Sequence, residues 1–319
     1  MTTTMPIGGA ATEVVVAQVI EARSPWQLAW RRIRRDRVAL ISACYIGLVV
    51  LLAIFAPVIA HIVGHGPDTQ YLQTGLTPQG LPRPPSGTFI FGTDDLGRDV
   101  FVRTIYGARI SLLVGAASSL SAVTVGVAIG LLAGYFGGIV DIVLARLVDV
   151  VLSLPFLLAA IALEVVVGPS LLVSIFVIAF FSWAAVARIV RGQTLSLRET
   201  EFVEAARSLG ASDLRIMVID VLPNLAAPVI VYTTLLIPSA IVFEATLSFL
   251  GLGVVPPTPS WGNMLSESLG FYQVAWWFIV FPGVALLTTT VAFNLLGDAV
   301  RDALDPRGDR LLAAIRKRR

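Results

Sequence analysis

The sequence has very little lysine, cysteine or histidine, three residue types on which much covalent and metal chemistry depends. Its single lysine, Lys317, lies near the end of the 319 residues, so a phosphate-binding loop with its lysine cannot be assembled. Its single cysteine, Cys44, sits in an apolar run, which excludes an internal disulfide and a cysteine-ligated metal site. The two histidines, His61 and His65, are spaced so that a helix would put them on one face. Gly64 and Pro67 interrupt that helix and no third ligand is near, so a boundary loop is expected and no metal. Carboxylates at catalytic spacing and a nucleophile elbow are also missing, so no catalytic residue is expected. Charged residues make up 14% of the chain, against about a quarter in a soluble domain.

What the chain has instead is apolar length. It is 56% hydrophobic, with a mean hydropathy of +0.84. Six runs approach the roughly 20 residues that a helix needs to cross a bilayer: Val38–Ala60, Ile110–Gly134, Val148–Val167, Leu171–Val190, Leu225–Ser248 and Val274–Gly297. The expected fold class is all-α, a polytopic membrane protein with six transmembrane helices.

Basic residues orient these spans. Residues 1–22 read as loosely ordered. Ser24-Pro25-Trp26 opens a short helix carrying Arg31, Arg32, Arg34, Arg35 and Arg37. Beside a span, such a cluster touches anionic lipid rather than nucleic acid. Residues 1–37 are therefore placed in the cytoplasm, and 38–60 as a retained first span rather than a cleaved signal. The loop 191–222 is Arg-rich, and so is the tail 299–319, with Arg301, Arg307, Arg310, Arg316, Lys317, Arg318 and Arg319. All three places agree on cytoplasmic termini.

Residues 61–109 form an extracytoplasmic segment too long for a mere connector. Its stretch Pro78 to Pro85 is expected to be extended. In Phe91-Gly-Thr-Asp-Asp-Leu-Gly-Arg-Asp99, Thr93 is expected to cap a helix leading into the second span. Arg98, Arg103 and Arg109 fall outside among Asp94, Asp95 and Asp99. The repeat Gly126, Gly130, Gly134 predicts close helix packing in lipid. Gly134–Ala145 is expected to be an inner loop, and Pro155, Pro228, Pro238 and Pro282 to kink their spans. Glu164 and Glu244 lie toward outer span ends, where both could reach outer water or an outward cavity; Glu244 is a candidate for the translocation path. After the fifth span, Phe243 to Leu265 reads as an outer loop, with Trp261, Trp276 and Trp277 suited to an interfacial belt.

The stretch 196–223 carries the most specific pattern. Ser196-x-x-Glu199 is a possible capping box, Gly210 can end a helix in the left-handed conformation, Ser212 can cap a second helix, and Pro223 is expected to close it. Ala205 and Ala206 leave a face without bulk, flanked by Phe202 and Leu209. Glu204-Ala205-Ala206, three residues, Gly210, a spacer, then Leu222-Pro223 resembles the EAA motif of ABC importer permeases. Asp220 stands where that family often has Ile. Phe91 to Asp99, Phe243 to Leu265, and Gly297-Asp-Ala-Val-Arg-Asp-Ala-Leu-Asp-Pro306 resemble the C-type permeases of the dipeptide/oligopeptide/nickel importers. Together these motifs span about two thirds of the chain.

The resemblance implies a type I ABC importer permease fold over residues 109–298, five helices with an EAA coupling loop at 196–223. It implies that Phe202, Glu204, Ala205, Ala206, Leu209, Gly210, Leu222 and Pro223 meet a cytoplasmic ATPase. The implied partners are a homologous second permease, two ABC ATPase subunits and an extracytoplasmic peptide- or solute-binding protein, in a bacterial or archaeal cytoplasmic membrane. No cofactor is expected on this chain, since ATP and Mg would be held by the ATPases. Nickel, glutathione or another small solute are alternative cargoes. A stand-alone secondary transporter is disfavoured for want of inverted repeats and mid-membrane charges. An intramembrane enzyme is disfavoured by the isolated cysteine and the histidines at an edge.

Overall fold

A computed structural model describes residues 25–305. Residues 1–22, Ser24, and Arg307 to Arg319 in the tail, which entered the sequence reading, lie outside the described residues. Twelve α-helices run in order among the described residues, with no β-strand.

Helix α1 (Pro25–Ile33) leads into α2 (Arg37–Ile54), capped by the Asp36 carboxylate on the Val38 and Ala39 amides. The first apolar run then breaks at Phe55, and Pro57 opens the short α3 (Ala56–Val63). Pro suits a first helical turn because the amide it lacks would have no partner there.

The bundle is built on α4 (Val100–Phe136), whose 37 residues span about 55 Å. This exceeds the roughly 30 Å hydrocarbon layer, so part of α4 projects from it. Against α4 lie α7 (Leu171–Leu197), α10 (Leu222–Phe249), α2 and α12 (Trp276–Leu304). The glycine repeat sits in the α4–α7 seam. A Cβ on Gly126 would meet Val186 Cβ at 2.5 Å, one on Gly130 would meet Ala187 O at 2.5 Å, and one on Gly134 would meet Thr194 Cβ at 2.6 Å. The backbones approach because these three residues have no side chain.

The third apolar run is not one straight helix. Helix α5 (Gly138–Ser153) and α6 (Phe156–Val167) meet at 86°. Pro155 pushes Leu154 into extended backbone (ψ 131°) and cannot donate to the preceding turn, so the helix stops. The structure thus has five helices long and apolar enough to cross a membrane, or six if the bent pair is one span. The expected inner loop at Gly134–Ala145 shrinks to Gly137, whose φ of +66° joins α4 to α5 directly.

Pro78 to Pro85 is not extended either. Thr77 and Gly80 close a turn, Leu76 bridges Pro82, and the Thr77 hydroxyl accepts from the Leu81 amide. The cap of α4 is Asp99 rather than Thr93: its carboxylate accepts from the Phe101 and Val102 amides. Thr93 is buried and donates instead to Gly75 O at 2.6 Å. The presumed outer loop after α10 holds a short helix, α11 (Trp261–Ser268), with a Ser260/Asn263 capping box.

Candidate functional site

The polar end of the bundle carries a small helix fixed on one side and bare on the other. Helix α8 (Glu201–Ser208) opens at Thr200, not at Ser196, because α7 continues through Ser196 to Leu197. Val203 is its anchor, fully buried against Ile216, Met217, Val221 and Leu225, with Ala206 and Ala211 packed beside them. Gly210 ends the helix at φ +80°, a conformation that costs a residue with a Cβ.

The chain then runs from α9 (Asp213–Arg215) through one π-helical turn, Ile216–Val221, into α10. Pro223 therefore does not close a helix; it stands in the first turn of α10. The wider turn lets the Leu222 amide reach Met217 O, and Asn224 Nδ2 donates to the Asp220 carbonyl at 2.7 Å. The second helix of the expected pair is continuous with the next span, giving one helical run from Asp213 to Phe249.

Polar contacts fasten this region to the C-terminal ends of α4 and α7. The Tyr135 hydroxyl donates to Asp213 Oδ1 at 2.8 Å, with the Arg207 guanidinium 5.9 Å from the Tyr135 ring centre. Arg198 Nη1 donates to Gly134 O at 3.2 Å. On the free side, Leu209 is 88% and Phe202 43% exposed, with Glu204 and Ala205 open beside them. Leu222 is half-buried and Pro223 exposed at the far end. The sequence-selected residues thus share one end of the molecule, but Ala206 and Leu222 also serve internal packing.

At the opposite end lies a buried ionic knot that no local sequence pattern revealed. Arg98 Nε pairs with Asp94 Oδ2 at 2.5 Å and Arg98 Nη2 with Glu267 Oε2 at 2.9 Å. Arg103, fully buried, pairs with Asp94 Oδ2 at 3.3 Å and Glu267 Oε2 at 3.2 Å, and also donates to Pro67 O and Pro257 O. Asp94, Asp95 and Glu267 bring carboxylate oxygens within 4.8 Å of one another, a geometry open to a cation. Two guanidinium groups already answer these carboxylates. Burial pushes the Asp95 carboxyl above its ordinary range, and neighbouring Asp94 adds to this. The Asp94/Arg98 spacing was legible as an i,i+4 pair; Glu267, 164 residues beyond Arg103, was not.

His65 is held by Asp99, its Nδ1 2.6 Å from Oδ2, and lies between the Tyr71 and Phe89 rings. It makes a loop contact, as its flanking Gly64 and Pro67 imply. The two intramembrane carboxylates do not reach water. Glu244 is fully buried and accepts from Ser111 and Ser248, each at 2.8 Å, so it braces α4 against α10. Glu164 is fully buried too. Two of the three expected belt tryptophans are interior: Trp261 Nε1 donates to Thr104 O and Trp277 Nε1 to Thr93 O, leaving Trp276 55% exposed. An indole whose N–H finds a carbonyl can be buried whole.

A long-helix membrane bundle with a side helix braced on its polar end defines a type I importer permease fold. The same fold is found in inward-facing structures of the MetNI methionine ABC transporter, at a TM-score of 0.54 and 18% identity, covering 64% of this chain and 97% of that one. This chain belongs to the binding-protein-dependent transport system inner membrane component family, which matches residues 126–310. Residues 24–78 match the N-terminal transmembrane domain of oligopeptide transport permease C. The chain is 41% identical to a dipeptide transport system permease protein of Alkalihalophilus pseudofirmus, over 90% of this chain and 91% of that protein. It is 40% identical to a di/tripeptide transport system permease protein of Pseudomonas aeruginosa, over 89% and 93%. It is 42% identical to a glutathione transport system permease protein of Escherichia coli, over 90% and 92%.

Proposed function

We propose that this chain is one membrane half of an ATP-driven importer of short peptides, and that α8 with the Leu209–Gly210 turn is where a cytoplasmic ATPase docks. The observation that carries this reading is the two-sidedness of α8: Val203 is sealed into the bundle while Phe202 and Leu209 stand bare beside a small-residue face. The cargo rests on the relatives, which are described as permeases for dipeptides, di- and tripeptides, and glutathione, itself a tripeptide.

In this reading residues 1–37, the 196–223 loop and 299–319 lie in the cytoplasm. A homologous second permease completes the path, two ATPase subunits bind inside, and a solute-binding protein delivers cargo outside. ATP and its Mg are handled by the ATPases, and this chain performs no covalent chemistry. Closure of the ATPases displaces α8. The continuous run from Asp213 to Phe249 carries that displacement into the membrane. The coupling requires that the ATP-bound state contact α8 differently from the resting state, since a ligand shifts an equilibrium only by its differential affinity.

The test is a mild-detergent pull-down of tagged protein from its native membrane, with Leu209→Asp alongside. Leu209 makes little contact within the chain, so the variant should insert and melt normally yet lose the ATPase. Full recovery of ATPase by Leu209→Asp would remove the docking assignment. Isolation of the wild-type chain alone, even after crosslinking, would remove the importer reading.

A further inference from the structure

Between the inner ends of α4, α5 and α7 lies a cavity of about 330 Å³ that the transport reading does not use. Its polar wall is built from Arg146, Arg188, Arg191, Asp141 and Asp149. Arg191 grips Asp141 through two nitrogens. Arg188 Nη2 lies 2.6 Å from Asp149 Oδ1. Arg146 has only a 3.9 Å approach to Asp149 and is 81% exposed. One positive charge is therefore in excess among these five side chains. The guanidinium groups also keep N–H donors beyond those spent on the carboxylates.

The opposite wall is apolar, and it continues onto an apolar surface. Ile139, Ile142, Val143 and Val150 of α5 are each between 59% and 80% exposed, as Ile142 also lines the cavity. The 86° bend means that α5 and α6 cannot both run along the membrane normal. Helix α5 carries the charges, so it is the one that lies at the polar boundary, with its apolar side toward the hydrocarbon. A cavity with an arginine wall, opening onto apolar surface at headgroup depth, fits an anion that carries its own acyl chains.

We propose that this cavity binds the phosphodiester headgroup of an anionic phospholipid of the inner leaflet. The inference rests on the membrane orientation read above. The site adjoins the coupling region: Arg191 lies one turn before Thr194, which packs on Gly134, whose carbonyl holds Arg198. A lipid here would steady the α4–α7 ends on which α8 is mounted.

The experiment uses the complete transporter in phosphatidylcholine nanodiscs, titrated with phosphatidylglycerol and read by native mass spectrometry. One phosphatidylglycerol per chain should be retained, and R146Q/R188Q should weaken retention about thirty-fold. R146K/R188K, which keeps the charge, should restore most of it. Equal retention by R146Q/R188Q would overturn the proposal. So would displacement of the lipid by inorganic phosphate, which would mark a free-anion site, or by a short peptide, which would mark a cargo site. If the double variant failed to assemble, R146Q alone gives the same decision, since Arg146 has almost no internal contact to lose. An R146C variant in a Cys44→Ser background separates the two readings. Labelling by an impermeant thiol reagent from outside intact cells would overturn the orientation. Labelling only from inside, with lipid retention unchanged in R146Q/R188Q, would overturn the lipid site alone.

Discussion

Tyr135 and Asp213 are joined by a 2.8 Å hydrogen bond, though 78 residues separate them. Tyr135 stands at the C-terminal end of α4 and Asp213 opens the helical run that becomes α10. The bond therefore ties the central helix to the element that carries α8, and a displacement of α8 must either move both or break it.

Tyr135→Phe removes this bond and keeps the ring. A neutral-to-charged hydrogen bond of this kind contributes about 1.5–3 kcal/mol. Transport per ATP hydrolysed, measured in proteoliposomes, should fall several-fold while ATPase binding persists. An unchanged ratio would mean that the α4 tether plays no part in coupling.

The α4–α7 seam should tolerate no added carbon. Gly130→Ala places a Cβ 2.5 Å from the Ala187 carbonyl and 2.8 Å from Val190 Cβ, so the helices must separate. Overpacking of this kind costs about 1–3 kcal/mol. Gly192 has open space around its Cβ position, so Gly192→Ala should be neutral or stabilising by up to about 1 kcal/mol. Thermal unfolding of both variants in detergent decides it; equal melting would refute the seam.

Arg103 should be the most sensitive position at the end of the bundle opposite α8. Arg103→Met leaves Asp94 and Glu267 with one guanidinium instead of two, and breaking a buried pair costs about 3–5 kcal/mol. Hydrogen exchange should speed up in residues 64–99 and in α11 together, because the ionic knot joins them. Protection lost in one segment only would show that the knot does not link the two.

Asp95 supplies a pH dependence. Its carboxyl is raised by burial and by Asp94, so between the unfolded and the folded value the folded chain binds more protons than the unfolded chain. Its favourable contribution is complete below the ordinary value of 3.8 and is lost as pH rises through the folded value. Asp95→Asn should match wild type near pH about 4 and melt higher than wild type near about 7. A constant difference at both pH values would exclude this titration as the cause.

The membrane class, the number of apolar runs and the place of α8 were legible because they rest on local signals. Apolar length, arginine beside a span, the glycine repeat and the spacing from Glu204 to Gly210 each act within a few turns of chain. Whether Pro155 bends a span by 20° or by 86° was not legible, since that depends on what α4 and α7 allow around it. The same limit hid the role of Pro223: the sequence shows a helix breaker, and only the π turn before it lets the helix pass.

Sequence alone therefore determined that this chain crosses a membrane, and it singled out the 196–223 stretch at the polar end of the bundle. Those properties follow from composition and short-range periodicity. Tertiary structure alone decided which polar groups are spent internally. Glu244 meets Ser111 across 133 residues, Trp261 meets Thr104 across 157, and Arg103 meets Glu267 across 164. A buried polar group must find its partner wherever the fold brings one, and sequence distance carries no record of that meeting.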